Sequence, residues 1–200
     1  MGAIKKVPGF QLIMLLVFSL GFTVNAQADE VLDSINEAME SYKNGKYTEA
    51  VGNLDYASQL IRQKRAEMLK TLLPDPLPGW TGENASSQTA GLAMLGGMLV
   101  AKRIYRKDLS RVTMEITDSP ALQSIMTMFS SLMFTTAGGG RLKRIKGQKA
   151  MINYVPDNRR GEITVMVENR CMLSIKGEDV GEQDLLDYAS AVNYKKLKEF

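Results

Sequence analysis

Residues 71–80, TLLPDPLPGW, hold three of the six prolines in the chain and its only tryptophan. No other stretch constrains the fold as strongly. Pro74, Pro76 and Pro78 each lack an amide donor, fix φ and push the preceding residue out of the helical region. A helix running into this stretch must stop, and an extended, semi-rigid segment must follow. The apolar period changes across it. Before it, Val31, Leu32, Ile35, Ala38, Met39 and Tyr42 recur at helical spacing, and after Asn44-Gly45 so do Val51, Leu54, Ala57, Leu60 and Ile61. Beyond it, Val112, Met114 and Ile116 alternate with Thr113, Glu115 and Thr117 as a half-buried strand requires. The stretch therefore reads as the joint between two units of different architecture, with Trp80 as the anchor that packs the joint onto one of them.

The first unit, residues 29–73, is expected to be a helical hairpin. Asn44 and Gly45 tolerate the left-handed backbone that ends helices, and Thr48 is the expected cap of the second helix. The spacing Ala38-x3-Tyr42-x2-Gly45-x-Tyr47-x2-Ala50-x3-Leu54-x2-Ala57 resembles a tetratricopeptide (TPR) motif. In that resemblance the small residues let the helices approach, Gly45 makes the turn and Tyr47 packs over it. Ser34 and Glu37 stand where the family carries large apolar residues, and no second copy follows. Repeat units bury their faces against neighbours, so a lone hairpin implies docking or dimerisation rather than a concave peptide groove.

Residues 74–96 read as a Pro/Gly-rich linker, polar and loose at TGENASSQTAG, with the apolar GLAMLGGMLV leading into a first strand. Residues 97–200 then read as strands MLVAKRIYRK and SRVTMEIT, a helix DSPALQSIMTMFSSLMF capped by Asp118 or Ser119, strands RLKRIK, KAMINYV, GEITVMVE and CMLSIKG, and one final helix GEQDLLDYASAVNYKKLKEF. Turns this short between consecutive strands make the pairing antiparallel. The fold class is α+β: a helical hairpin, a proline-rich linker, and an antiparallel sheet packed with helices in the order β-β-α-β-β-β-β-α. From about Gly97 onward this order resembles the PsbP-like α/β sandwich, and uncharacterised bacterial exported proteins with endings like GEITVMVENRCMLSIKGEDV. The resemblance brings no catalytic motif, and that architecture hosts unrelated roles, so no family residue is carried over.

Residues 1–28 read as a signal peptide: Lys5 and Lys6, an apolar run from Leu12 to Val24, then Ala26-Gln27-Ala28 before the expected first mature residue, Asp29. The run is short of the ~20 residues that a membrane span needs. Without residues 1–28 the chain loses two lysines and no acid, which leaves it almost neutral. Near-neutrality argues against nucleic acid as the partner. The expected location is the periplasm or the medium.

The chain has no histidine and one cysteine, Cys171. That excludes Ser-His-Asp and Cys-His machinery, the commonest zinc ligand and any intramolecular disulfide. The glycine run TAGGGR at 136–141 leads into a strand, unlike the phosphate loop it superficially suggests. No catalytic residue, metal site or cofactor is expected. One cluster invites a binding role: Arg141, Lys143, Arg144, Lys146 and Lys149, with no acid among them and with Arg103, Arg106 and Lys107 on another strand. On one exposed face these would hold an anionic ligand, lipid headgroups or an acidic partner; the plainer reading is a solvated face that blunts edge pairing. The expected function is that of a non-enzymatic exported binding or adaptor protein of the cell envelope, with a protein partner or self-association through the hairpin. The rival readings are a ligand-binding protein or enzyme with a pocket lined by the basic residues, and peripheral membrane attachment through them.

Overall fold

The computed structural model describes residues 29–90, 97–120, 122, 140–168 and 170–200. The expected signal peptide, the apolar entry at 91–96 and all but the start of the helix expected after β4 lie outside the described residues. Among the described residues the chain is α+β, an N-terminal helix pair followed by an eight-stranded antiparallel sheet with C-terminal helices packed against it.

Helices α1 (Glu30–Lys43) and α2 (Tyr47–Lys70) form the hairpin. Asp29 caps α1 by accepting from the Val31 amide, and Gly45, at φ 73°, carries the left-handed step between the helices. Helix α2 begins at Tyr47 behind Lys46, so Thr48 lies inside the first turn and is not the cap. The left-handed Gly45 reverses the chain so tightly that helical geometry resumes two residues earlier than the cap preference suggests. Helix α2 outruns α1 and continues to the prolines, where Leu69 and Leu73 enter the core of the sheet domain.

The sheet comprises β1 (Thr81–Gly82), β2 (Ser86–Ala90), β3 (Met98–Lys107), β4 (Ser110–Asp118), β5 (Arg141–Ile145), β6 (Gln148–Val155), β7 (Arg160–Val167) and β8 (Cys171–Glu178). Its spatial order is β1-β3-β4-β8-β7-β6-β5, and β2 also pairs with β3. The six strands from β3 to β8 fall where alternation places them. Strands β1 and β2 do not: the polar segment after Trp80 is strand, antiparallel to β3. Its own side chains carry no apolar signal. The outer edge of β3 offers unpaired backbone groups, and pairing with them outweighs the local preference for loop.

One face of the sheet is the core. Leu99, Ala101 and Tyr105 of β3, Val112, Met114 and Ile116 of β4, Leu173 and Ile175 of β8, Ile163 and Val165 of β7, and Ala150 and Ile152 of β6 alternate onto it and are buried. Helices α3 (Glu182–Ala191) and α4 (Tyr194–Glu199) cover it with Leu185, Tyr188, Ala189 and Leu197. The single final helix expected from the sequence is thus two. Val192 is extended, at ψ 136°, and the Asn193 side chain accepts from the Lys196 amide to start α4. Burial of Tyr194, whose hydroxyl donates to the Ala189 carbonyl, turns the chain back onto the core.

Candidate functional site

The two helices of the hairpin meet through small residues. Ser34 and Ala38 of α1 and Ala50 and Ala57 of α2 are buried between them, and the Ser34 hydroxyl donates to the Glu30 carbonyl 2.8 Å away. Close helix approach needs this, because a large side chain in the seam would hold the axes apart. The larger apolar side chains are therefore not the filling of the hairpin. Leu32, Met39 and Tyr42 of α1, and Tyr47, Val51, Leu54 and Ile61 of α2, are exposed. Their helical period is right, but only Val31, Ala38, Ala50 and Ala57 of the hairpin's alkyl side chains in that region become buried.

Position on the helix shows that these exposed residues share a face. At 100° per residue, Leu32, Ile35, Met39 and Tyr42 lie on average about 85° to one side of the Val31–Ser34–Ala38 seam, and Tyr47, Val51, Leu54 and Ile61 lie about 65° to the same rotational side of the Ala50–Ala57 seam. In an antiparallel pair, rotation in the same sense from the seam brings both stripes to one side. Tyr42 and Tyr47 confirm this at the hairpin tip, their rings meeting edge to face with centroids 5.6 Å apart. The result is one apolar surface across both helices. It stops near Ile61, because the next residue on that stripe, Arg65, turns to the sheet domain.

Trp80 is 9% exposed and belongs to the same core cluster as Leu69 and Leu73 of the hairpin side and Tyr105 and Tyr188 of the sheet side. Its ring stands edge-on to Tyr188 with centroids 5.3 Å apart, and Tyr188 lies 4.4 Å from Tyr105. Burial pushes the Tyr188 hydroxyl up to about 12 and raises Tyr105 further still. The Tyr105 hydroxyl donates to the Pro74 carbonyl at 2.7 Å. Arg103 also donates to Pro74 and to the Glu83 carbonyl, both at 3.1 Å, and Arg106 pairs with the Glu83 carboxylate at 2.9 Å. Two of the basic residues of β3 are thus spent on holding residues 74–83 against the sheet. Nothing in their sequence pattern distinguishes that use from ligand binding, since their partners come from a segment with no secondary-structure signal.

The basic cluster lies at the opposite sheet edge. Among the described residues strand β5 pairs with β6 alone, which makes it an edge strand, and all of it except Ile145 is exposed. Arg141 and Lys143 share the face of buried Ile145, whereas Arg144 sits on the other face, directly opposite Lys149 of β6. Lys146 occupies the turn at φ 45°, beside Gly147 at φ 83°. Arg141 pairs with Glu182 of α3. The pleat therefore splits the five residues between two faces and a turn. An open depression of about 430 Å³ nearby is lined by Lys146, Val192, Asn193 and Lys195, and not by the other four.

Asp118, 2% exposed at the end of β4, accepts from Arg170 Nε at 2.7 Å and from Arg65 Nη2 at 2.8 Å. Sequence pattern marks Asp118 or Ser119 as a helix cap; the fold directs the Asp118 carboxylate to two guanidiniums. The buried Cys171 thiol lies 3.5 Å from the same carboxylate, and burial, with Asp118 adding to it, pushes the thiol up to about 12. Such a thiol is a poor nucleophile. Among the described residues no group of three or more Cys, Asp or Glu side chains is placed to hold a metal ion, and no helix is long and apolar enough to cross a membrane.

Comparison with protein-family models found no match to this chain. None was found among curated proteins or among solved structures either.

Proposed function

We propose that this chain is an exported, non-enzymatic binding or adaptor module of the cell envelope that docks a protein partner on its N-terminal hairpin. The observation that carries the reading is the apolar face of Leu32, Met39, Tyr42, Tyr47, Val51 and Leu54, exposed while smaller residues fill the hairpin. The largest apolar patch of an ordinary monomer measures roughly 300–600 Å², and larger ones mark interaction sites. The sheet domain, on this reading, is the rigid base that presents the hairpin, with the arginine and aromatic contacts of residues 74–83 fixing the angle. The likeness to a lone TPR hairpin on a PsbP-like domain belongs to the same proposal and is supported by the element order. Export rests on the leader-like layout of residues 1–28 and on Asp29, which would serve at once as the first mature residue and the α1 cap.

The test is site-specific photo-cross-linking in cells, with the cross-linker placed at Leu54 or Met39 and, as control, at Gln59 outside the stripe. Adducts at the first two positions and none at Gln59 are expected. Equal labelling at all three, or none at any, would refute docking through this face.

A further inference from the structure

We propose that the occupant of this face is a second copy of the chain, the two hairpins closing into a four-helix bundle. The inference rests on the docking reading above and names its partner. Each helix carries two adjacent stripes with the alternating three- and four-residue spacing of a coiled-coil seam. In α1, Val31, Ser34, Ala38 and Ser41 form the seam used within the hairpin, and Leu32, Ile35, Met39 and Tyr42 repeat the spacing beside it. In α2, Ala50, Asn53, Ala57 and Leu60 form the used seam, and Tyr47, Val51, Leu54, Ser58 and Ile61 the free one. One seam per helix suffices for a two-helix pair. Two are what a helix needs when it touches two neighbours, as in a bundle.

Size and charge select the second copy. At exposures of 43–66%, the seven large side chains of the free stripes present on the order of 700 Å². That is close to the ~800 Å² per partner of a standard stable interface. A self-matching surface must also not repel itself. The positions beside the free stripes carry Lys43 on α1 and Asp55 on α2, with Arg62 packed beside Gly97 of the sheet domain, so both signs are present. A two-fold arrangement can therefore pair opposite signs around an apolar centre. Among the described residues the sheet domain meets α2 from Arg62 onward, through Arg62, Arg65, Ala66, Glu67 and Leu69, and the free stripes lie mostly before that point.

The test is light scattering and sedimentation of the protein as recovered from cells. A dimer is expected, and Val51→Glu with Leu54→Glu should raise its dissociation constant more than about 100-fold. Gln59→Glu should leave the dimer intact. Both changes are at exposed positions, so the helical circular dichroism and thermal midpoint of a monomeric variant should remain unchanged; Tyr42→Lys gives an independent disruption should the double variant misfold. A wild-type monomer at micromolar concentration, or a dimer that survives these substitutions, would overturn the proposal. A monomer that still cross-links at Leu54 to a different polypeptide would overturn the second copy and leave docking standing; a monomer with no adduct would overturn both.

Discussion

Arg65, in the last third of the long second helix, reaches the carboxylate of Asp118 at the end of β4 with its Nη2 2.8 Å from Oδ2. This ion pair crosses from the hairpin to the sheet domain, and it is shared: Arg170, from the β7–β8 turn, donates Nε to the other oxygen at 2.7 Å. The Arg65 guanidinium also lies 4.9 Å from the centre of the Phe200 ring, so the second helix, the sheet and the C-terminal residue meet at this side chain. The contact explains why the free stripe of α2 ends where it does. The residue that would continue it is turned inward.

Removing both cations should be costly. Arg65→Met with Arg170→Met leaves a nearly fully buried carboxylate without a counter-charge, which costs about 3–5 kcal/mol. Each single substitution should cost much less, because the remaining guanidinium still serves Asp118. Urea denaturation of the two single variants and the double variant measures this, and additive single costs would show that the cations are not shared.

Trp80→Ala should destabilise the protein by roughly 3 kcal/mol, the cost of emptying a buried aromatic site. The wild-type indole, wedged against Tyr188, should fluoresce with a blue-shifted maximum and resist iodide. The variant should be cleaved faster by protease in residues 81–90, where the short strands β1 and β2 pair with β3. Full quenching of the native indole would contradict its burial.

Alkali should unfold the protein. Cys171 is raised from 9.0 to about 12 and Tyr188 from 10.0 to about 12, both chiefly by burial. Between these values the unfolded chain releases protons that the folded chain keeps. Stability is therefore full below pH 9 and falls as pH rises toward 12, by at most ~1.4 kcal/mol per pH unit for each group. Thermal midpoints across that range test the slope. By the same cause, a maleimide should label Cys171 slowly in the native protein and rapidly in denaturant.

Arg144 and Lys149 face each other across the β5–β6 ladder as like charges. Arg144→Glu should replace repulsion by a cross-strand ion pair and stabilise the hairpin by about 0.2–1 kcal/mol. The same change removes a charge that keeps this edge strand from pairing with another chain, so aggregation near the melting point should increase. A loss of stability would mean that the two side chains do not share a face.

Export would be settled by the mature N-terminus. Mass spectrometry of protein outside the cytoplasm should find Asp29 first, and a fraction that retains Met1 would count against cleavage.

Local chemistry determined much of this protein. The helical period before residue 74, the alternation after residue 97 and the prolines between them specified α+β order and six of the strands, because periodicity and backbone restriction act over a few residues. Residues 81–90 were not legible, since their strand state comes from the bonding edge of β3 and not from their own side chains. The break at Val192 and Asn193 follows from the core that receives Tyr194. The candidate site was legible only in part. A sequence shows that Leu32, Met39, Tyr42, Tyr47, Val51 and Leu54 are apolar and helically spaced, and such residues are ordinarily buried. Tertiary structure decided that they are not, because Ser34, Ala38, Ala50 and Ala57 let the helices close without them. It also drew Arg103 and Arg106 to the linker and Arg65 and Arg170 to Asp118. Electrostatic partners and burial depend on distances between segments far apart in the chain, and only the assembled fold sets those distances.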